Sequence, residues 1–235
     1  MSNSAKSNVV ITRWWWVRHA PVRSDGGNIY GQKDMDCDCN DREVFEAVAK
    51  ILPRNAVWVS SNLKRTHQTA EAIWGAGFPR PAAMPHETAF AEQHLGQLQG
   101  MNRAAFYATL PPGRSWLSGV NEPAPGGESF MDLYVRTCRA IESITAQHAG
   151  RDIVAVAHGG TIRAAVGLAL GNQPETGLAF DIDNCSVTRL DHYANPPAKD
   201  VWRLPMVNQQ PWMADARHAA MHQPAGPEVP EQKLA

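Results

Sequence analysis

Three short runs of β-branched and aromatic residues, each ending in polar side chains, constrain this chain most. They are residues 9–17, 56–60 and 152–157. A continuous apolar run of this length predicts a strand covered on both faces, because alternation would be needed if one face met water. Helix-compatible segments follow each run. Residues 43–52 form a candidate helix closed by Pro53, and Ser61 or Asn62 can cap a second helix that continues to Gly75. Thr161 is a candidate cap for another, ending near Gly171, after the turn His158-Gly159-Gly160. Ser129 opens a long amphipathic segment to about His148, with Glu128 adding charge at its start. Strands alternating with helices predict a three-layer α/β domain, a mostly parallel sheet with helices on both faces.

The remaining stretches are less periodic. Residues 79–128 are rich in Pro and Gly and suggest an excursion over one end of the sheet, with a helix near residues 103–110. Residues 186–193 and 201–207 read as an antiparallel hairpin. From Gln209 the composition turns to Pro, Ala, Gln and His, so residues 1–208 are expected to form the folded domain and residues 209–235 an irregular tail.

Composition excludes several classes. With 22 Lys and Arg against 23 Asp and Glu, the net charge is -1 and no basic run marks a nucleic-acid tract or a membrane-surface helix. No apolar run approaches the roughly 20 residues that span a bilayer, and Met1 to Asn8 lacks an apolar signal core. The four cysteines, Cys37, Cys39, Cys138 and Cys185, are too scattered for a disulfide scaffold. Cys37 and Cys39 lack a second close pair to complete a zinc site. No metal or other cofactor is expected, and the compartment that fits is a reducing cytoplasm.

The polar ends of the three strands carry the chemistry. In an open α/β sheet, ligands sit outside the carboxyl ends of the strands. The first strand ends at Arg18-His19, the second runs through Ser60-Ser61 to Arg65, and the third ends at His158. Two guanidinium groups, two imidazoles and two helix N-termini therefore converge, which are the parts of a phosphate pocket. A neutral imidazole is a competent nucleophile towards phosphorus, and a second one can donate to an oxygen where charge develops. The other histidines, His67, His86, His94, His148, His192, His218 and His222, read as structural or surface residues. Trp14, Trp15 and Trp16 read as sheet packing rather than a stacking platform.

These residues also fall into five ordered blocks that resemble the histidine phosphatase superfamily, which includes the cofactor-dependent phosphoglycerate mutases. Arg18-His19-Ala20 matches its Arg-His-Gly, and Ser61-Asn62-Leu63-Lys64-Arg65 through Thr69-Ala70 its second block. Glu92 with Gly96 and Gly100, then Gly126-Gly127-Glu128-Ser129, then Val156-Ala157-His158-Gly159-Gly160 match the rest. The resemblance spans about residues 9–207. It implies a phosphoglycerate mutase-like fold, with His19 as nucleophile, Arg18, Arg65 and His158 as phosphate ligands, and Glu92 as proton donor. Asn28 and Gly159 are further candidate contacts. Ala20 departs from the pattern, and Val22 stands where many members carry Thr or Ser.

The resemblance implies a metal-independent phosphomonoesterase acting on a small phosphorylated metabolite through a phospho-histidine intermediate, in motif style nearest the α-ribazole phosphatases. Mutase-type phosphoryl transfer is the alternative, and a non-catalytic phosphate-binding module the third reading. The mutases carry adjacent arginines in a longer insert, whereas residues 92–128 here contain only Arg103 and Arg114. No nucleic-acid or membrane partner is expected, and a homodimer is left open.

Overall fold

The computed structural model describes residues 9–110, 119–194 and 199–213. Met1 to Asn8, Arg114, His218, His222 and the rest of the tail lie outside the described residues. The elements run β1 (Val10–Arg18), α1 (Arg42–Ile51), β2 (Val57–Ser60), α2 (Lys64–Gly75), α3 (Arg103–Ala108), α4 (Phe130–Gln147), β3 (Asp152–Ala157), α5 (Gly159–Ala169), α6 (Pro174–Leu178), β4 (Val187–Ala194) and β5 (Val201–Gln209). The sheet order is β2-β3-β1-β4-β5. β2, β3 and β1 are parallel, and β4 and β5 extend the sheet as an antiparallel hairpin.

Alternation along the strands builds two cores. Trp14 and Trp16 point to one face with Ile153 and Ala155, under α4 and α5. Val17, Val154 and Val156 point to the other, under Phe45 and Val48 of α1 and Ala70 and Ile73 of α2. Trp14 and Trp16 stack at 5.1 Å, and Phe90 meets both edge-on. Trp15 faces the opposite side, with the Arg189 guanidinium 4.8 Å from its ring centre. β5 is one of the two edge strands and carries Pro205, a residue without an N–H that a central strand would not accept.

Several local expectations are corrected. Neither Ser61 nor Asn62 is the cap of α2, which begins after Leu63 without a side-chain cap, although Ser61 Oγ accepts the Leu63 N–H at 3.2 Å. Thr161 lies inside α5 and donates to the Phe90 carbonyl at 3.0 Å, while His158 occupies the cap position. Ser129 caps α4 as expected, in a capping box with Asp132. Val135 is exposed. The final strand includes Gln209, and the 3-10 turn Pro211–Met213 packs Trp212 against the α1 side of the sheet. Among the described residues no helix is long and apolar enough to cross a membrane.

Candidate active site

The carboxyl ends of β1 and β3 are neighbours, because Arg18 pairs with Ala157 in the parallel register. His19 and His158 therefore leave the sheet side by side, with ring centres 5.1 Å apart. The backbone there is pinned from every side. The His19 N–H donates to the Ala157 carbonyl at 2.9 Å, and the Ala20 N–H donates to Thr69 Oγ1 of α2 at 2.8 Å. Asn184 Nδ2 donates to the His19 carbonyl at 2.8 Å. Ala20 is absent from the residues with positive φ, so this turn needs no glycine.

His19 Nδ1 lies 2.7 Å from the Ala20 carbonyl. A carbonyl can only accept, so Nδ1 carries the proton and the lone pair resides on Nε2. The ring is 1% exposed, and its pKa is held well below the usual imidazole value, first by burial and then by the Arg65 and Arg18 charges. His19 is thus a neutral, oriented imidazole with one basic nitrogen.

His158 has the opposite tautomer. Arg65 Nε donates to its Nδ1 at 3.2 Å, so its Nε2–H donates to Ser61 Oγ at 2.7 Å. Its pKa is likewise pushed well below the ordinary value by burial, then by Arg65. In this arrangement His158 has no N–H to offer a phosphate oxygen. It acquires one only if Arg65 turns to the anion and Nδ1 takes up a proton.

The arginines are disposed differently. Arg65 is fully buried, donating to the Lys33 and Gly31 carbonyls at 2.9 and 2.8 Å and lying over Tyr30. Arg18 donates through Nη1 to the Ile182 carbonyl, but its Nε is buried without a partner. A buried donor left unpaired costs about 1–3 kcal/mol, so an incoming anion would relieve it. The N-terminus of α2 is not open as expected, since Asp34 accepts the Lys64 N–H at 2.7 Å.

Glu92 reaches the N-terminus of α5, where its Oε2 lies 3.4 Å from the Gly160 N–H; Oε1 accepts from the Gln93 N–H at 2.9 Å. A Cβ at Gly160 would come within 2.3 Å of Oε1, so a side chain there would displace the carboxylate from this position. Two other motif glycines serve the same loop. A Cβ at Gly96 would meet the Pro125 carbonyl at 2.1 Å, and one at Gly127 the His94 carbonyl at 2.2 Å. Arg136 clamps this loop through the Ala89, Ala91 and Glu92 carbonyls and pairs with Glu128 at 2.6 Å. Glu128 therefore organises the Glu92 loop instead of charging a helix end.

A cleft of about 320 Å³ opens over these groups. Its lining includes Arg18, Glu92, Gly159 and Gly160, together with Asp25, Arg103, Tyr107, Arg163 and Leu178. His19, His158 and Arg65 are buried beside that lining rather than part of it. Asn28 is not brought to the cleft wall. Its backbone pairs with Asn102, and its carbonyl accepts from Arg103 at 3.0 Å. Arg163 and Arg136, which the sequence reading did not single out, enter through tertiary contacts that have no local signature. Cys37 and Cys39 lie 3.6 Å apart against α2.

Two buried neutral histidines tie stability to pH. An unfolded histidine titrates near 6.5, whereas His19 and His158 stay neutral in the fold at more acidic pH. The unfolded chain then binds the extra protons, so stability is fully retained above about pH 6.5 and lost as pH falls below it. Tm is expected to drop between pH 7 and pH 5, and to drop less in His158→Asn; an equal drop in both would remove His158 from this linkage.

Comparison with known proteins agrees with this geometry. The profile of the histidine phosphatase superfamily (branch 1) matches residues 14–205. A glucosyl-3-phosphoglycerate phosphatase of Mycolicibacterium vanbaalenii is 30% identical over 87% of this chain and 98% of its own. A 2,3-bisphosphoglycerate-dependent phosphoglycerate mutase of Gloeobacter violaceus is 31% identical over 63% of this chain and 78% of its own. The solved structure of a mycobacterial glucosyl-3-phosphoglycerate phosphatase complexed with VO3 superimposes with a TM-score of 0.70 at 28% identity, covering 83% of this chain and 98% of that one. The chain belongs to the histidine phosphatase superfamily, branch 1, and is an enzyme of that family.

Proposed function

We propose that this enzyme is a metal-independent phosphomonoesterase that passes the phosphoryl group of a small phosphorylated metabolite to His19 and then to water. The observation that carries this reading is the His19 tautomer, fixed by the Ala20 carbonyl so that Nε2 presents a lone pair. The substrate phosphate docks on the unpartnered Arg18 Nε, and Arg65 turns from His158 to the anion. His158 takes up at Nδ1 the proton of the monoanionic substrate phosphate and holds it in a hydrogen bond to that same oxygen, so the proton leaves with the released phosphate. Nε2 attacks phosphorus, the P–O bond to the leaving alcohol breaks, and protonated Glu92 gives its proton to that oxygen. Glu92, now a carboxylate, takes a proton from water as the water attacks the phospho-histidine. The second step releases inorganic phosphate and restores both groups.

Release to water rather than to a second hydroxyl is supported by the absence of adjacent arginines between residues 92 and 128. The Arg18 and Arg65 guanidinium groups supply the positive charge that a divalent cation supplies in other phosphatases. The free thiols Cys37 and Cys39 fit a reducing cytoplasm. The test is a panel of phosphorylated metabolites assayed with purified enzyme in excess EDTA. At least one monoester is expected to be hydrolysed at an undiminished rate. A strict requirement for added Mg²⁺ or Zn²⁺ would reject this mechanism.

A further inference from the structure

The phosphate chemistry leaves one cleft cation unused. Among the described residues the charged groups lining the cleft are Arg18, Arg103, Arg163, Asp25 and Glu92. Arg103 is already paired, 2.9 Å from Asp25. Arg18 is assigned to the phosphate and Glu92 to the leaving oxygen. Arg163 remains, with 19% of its side chain exposed. Its nearest carboxylate is Asp181, 4.0 Å away on a side chain 98% exposed, where water screens the attraction. Burial lowers the Arg163 pKa, and among the neighbouring charges Glu92 opposes that shift most, ahead of Asp181.

Its position suits the alcohol half of a substrate. Arg163 follows Gly159 by four residues, one turn along α5 from the helix end that borders the phosphate. Nε is anchored to the Phe180 carbonyl at 2.8 Å, while Nη1 reaches back to 3.6 Å from where a Gly159 Cβ would stand, the same distance as the Arg18 Nε that faces the phosphate. Tyr107 and Leu178 form the apolar wall beside it.

We propose that Arg163 binds a carboxylate on the alcohol portion of the substrate, and so makes this enzyme selective for phosphomonoesters of hydroxy acids. This rests on the phosphatase reading above and adds to it a specificity-determining residue. Two relatives act on, or are named for, phosphoglycerates, whose leaving half carries a carboxylate. A rigid guanidinium fork matches that group with two hydrogen bonds.

The matched probes are 3-phosphoglycerate and glycerol 3-phosphate, which differ in a carboxylate against a hydroxymethyl group, with p-nitrophenyl phosphate as the general substrate. Wild type is expected to favour 3-phosphoglycerate. Arg163→Gln should lower kcat/KM for it by about 10- to 100-fold, mainly through KM, as for a lost charge-assisted hydrogen bond. The same variant should hydrolyse glycerol 3-phosphate within about threefold of wild type, which also shows that it folds. Arg163→Lys should recover part of the loss. Equal losses on both probes would assign Arg163 to the phosphate or the fold and overturn the inference. So would a wild type that hydrolyses p-nitrophenyl phosphate without favouring 3-phosphoglycerate. No hydrolysis of any of the three would instead bring down the phosphatase reading itself.

Discussion

Replacing His19 by alanine is expected to lower turnover of every phosphomonoester by about 10⁴-fold or more, the scale seen when a covalent nucleophile is removed. No nearby group can take its place. His158 Nε2 is committed to Ser61, and its Nδ1 meets Arg65 in the free enzyme and carries a proton in the proposed substrate complex. Phosphate and vanadate affinity should fall far less, since the Arg18 Nε and the Arg65 guanidinium remain. Because His19 is buried, its deletion also leaves a hole. Free imidazole should enter that hole and restore part of the turnover, which no purely structural role would allow. Steady-state kinetics with and without imidazole check this. Activity within about tenfold of wild type would remove His19 as the nucleophile.

The second large effect concerns Glu92, and it depends on the leaving group. An alkoxide leaves poorly without a proton, and general acid assistance is worth about 10²- to 10⁴-fold. A nitrophenolate is already stable and gains much less. Glu92→Gln preserves the shape and, through its single amide oxygen, one of the two contacts that the carboxylate accepts from the Gln93 and Gly160 N–H groups, but carries no transferable proton. Hydrolysis of an alkyl phosphate should therefore collapse by that factor while hydrolysis of p-nitrophenyl phosphate suffers far less. Equal losses on both substrates would make Glu92 a structural residue and move the search for the donor to His94 and Glu128. Its approach to Gly160 sharpens the expectation, because the carboxylate sits at the helix end that begins one residue after His158.

The strands and their polar ends were legible because burial on both faces writes itself locally. Residues 152–157 have no polar interruption after Asp152, and β3 covers that run. The convergence of Arg18, His19, Arg65 and His158 followed from strand polarity alone. What could not be read are contacts between residues distant in sequence. Nothing local distinguishes Arg163 from an ordinary helix-surface arginine, and nothing announces that Arg136 will hold three carbonyls of the Glu92 loop. Glu128 looked like a helix-dipole charge for the same reason, since its partner lies eight residues on. The α2 terminus looked vacant because Asp34, thirty residues earlier in the chain, fills it. The His158 tautomer depends on Arg65 and Ser61 together, a pairing set only when β2, α2 and β3 assemble. The motif glycines were visible as a pattern, but their purpose appears only where Gly96, Gly127 and Gly160 meet other backbone and the Glu92 carboxylate.

The account stands or falls on a phosphoryl group carried by His19 Nε2. The direct measurement is to quench wild-type enzyme during turnover of a radiolabelled monoester, then follow the protein-bound label in acid and in base and locate it by mass spectrometry. A phosphoramidate on His19 is expected, lost rapidly in acid and stable in base, and absent from His19→Ala. Label that survives acid, or that maps to any other residue, would contradict the mechanism.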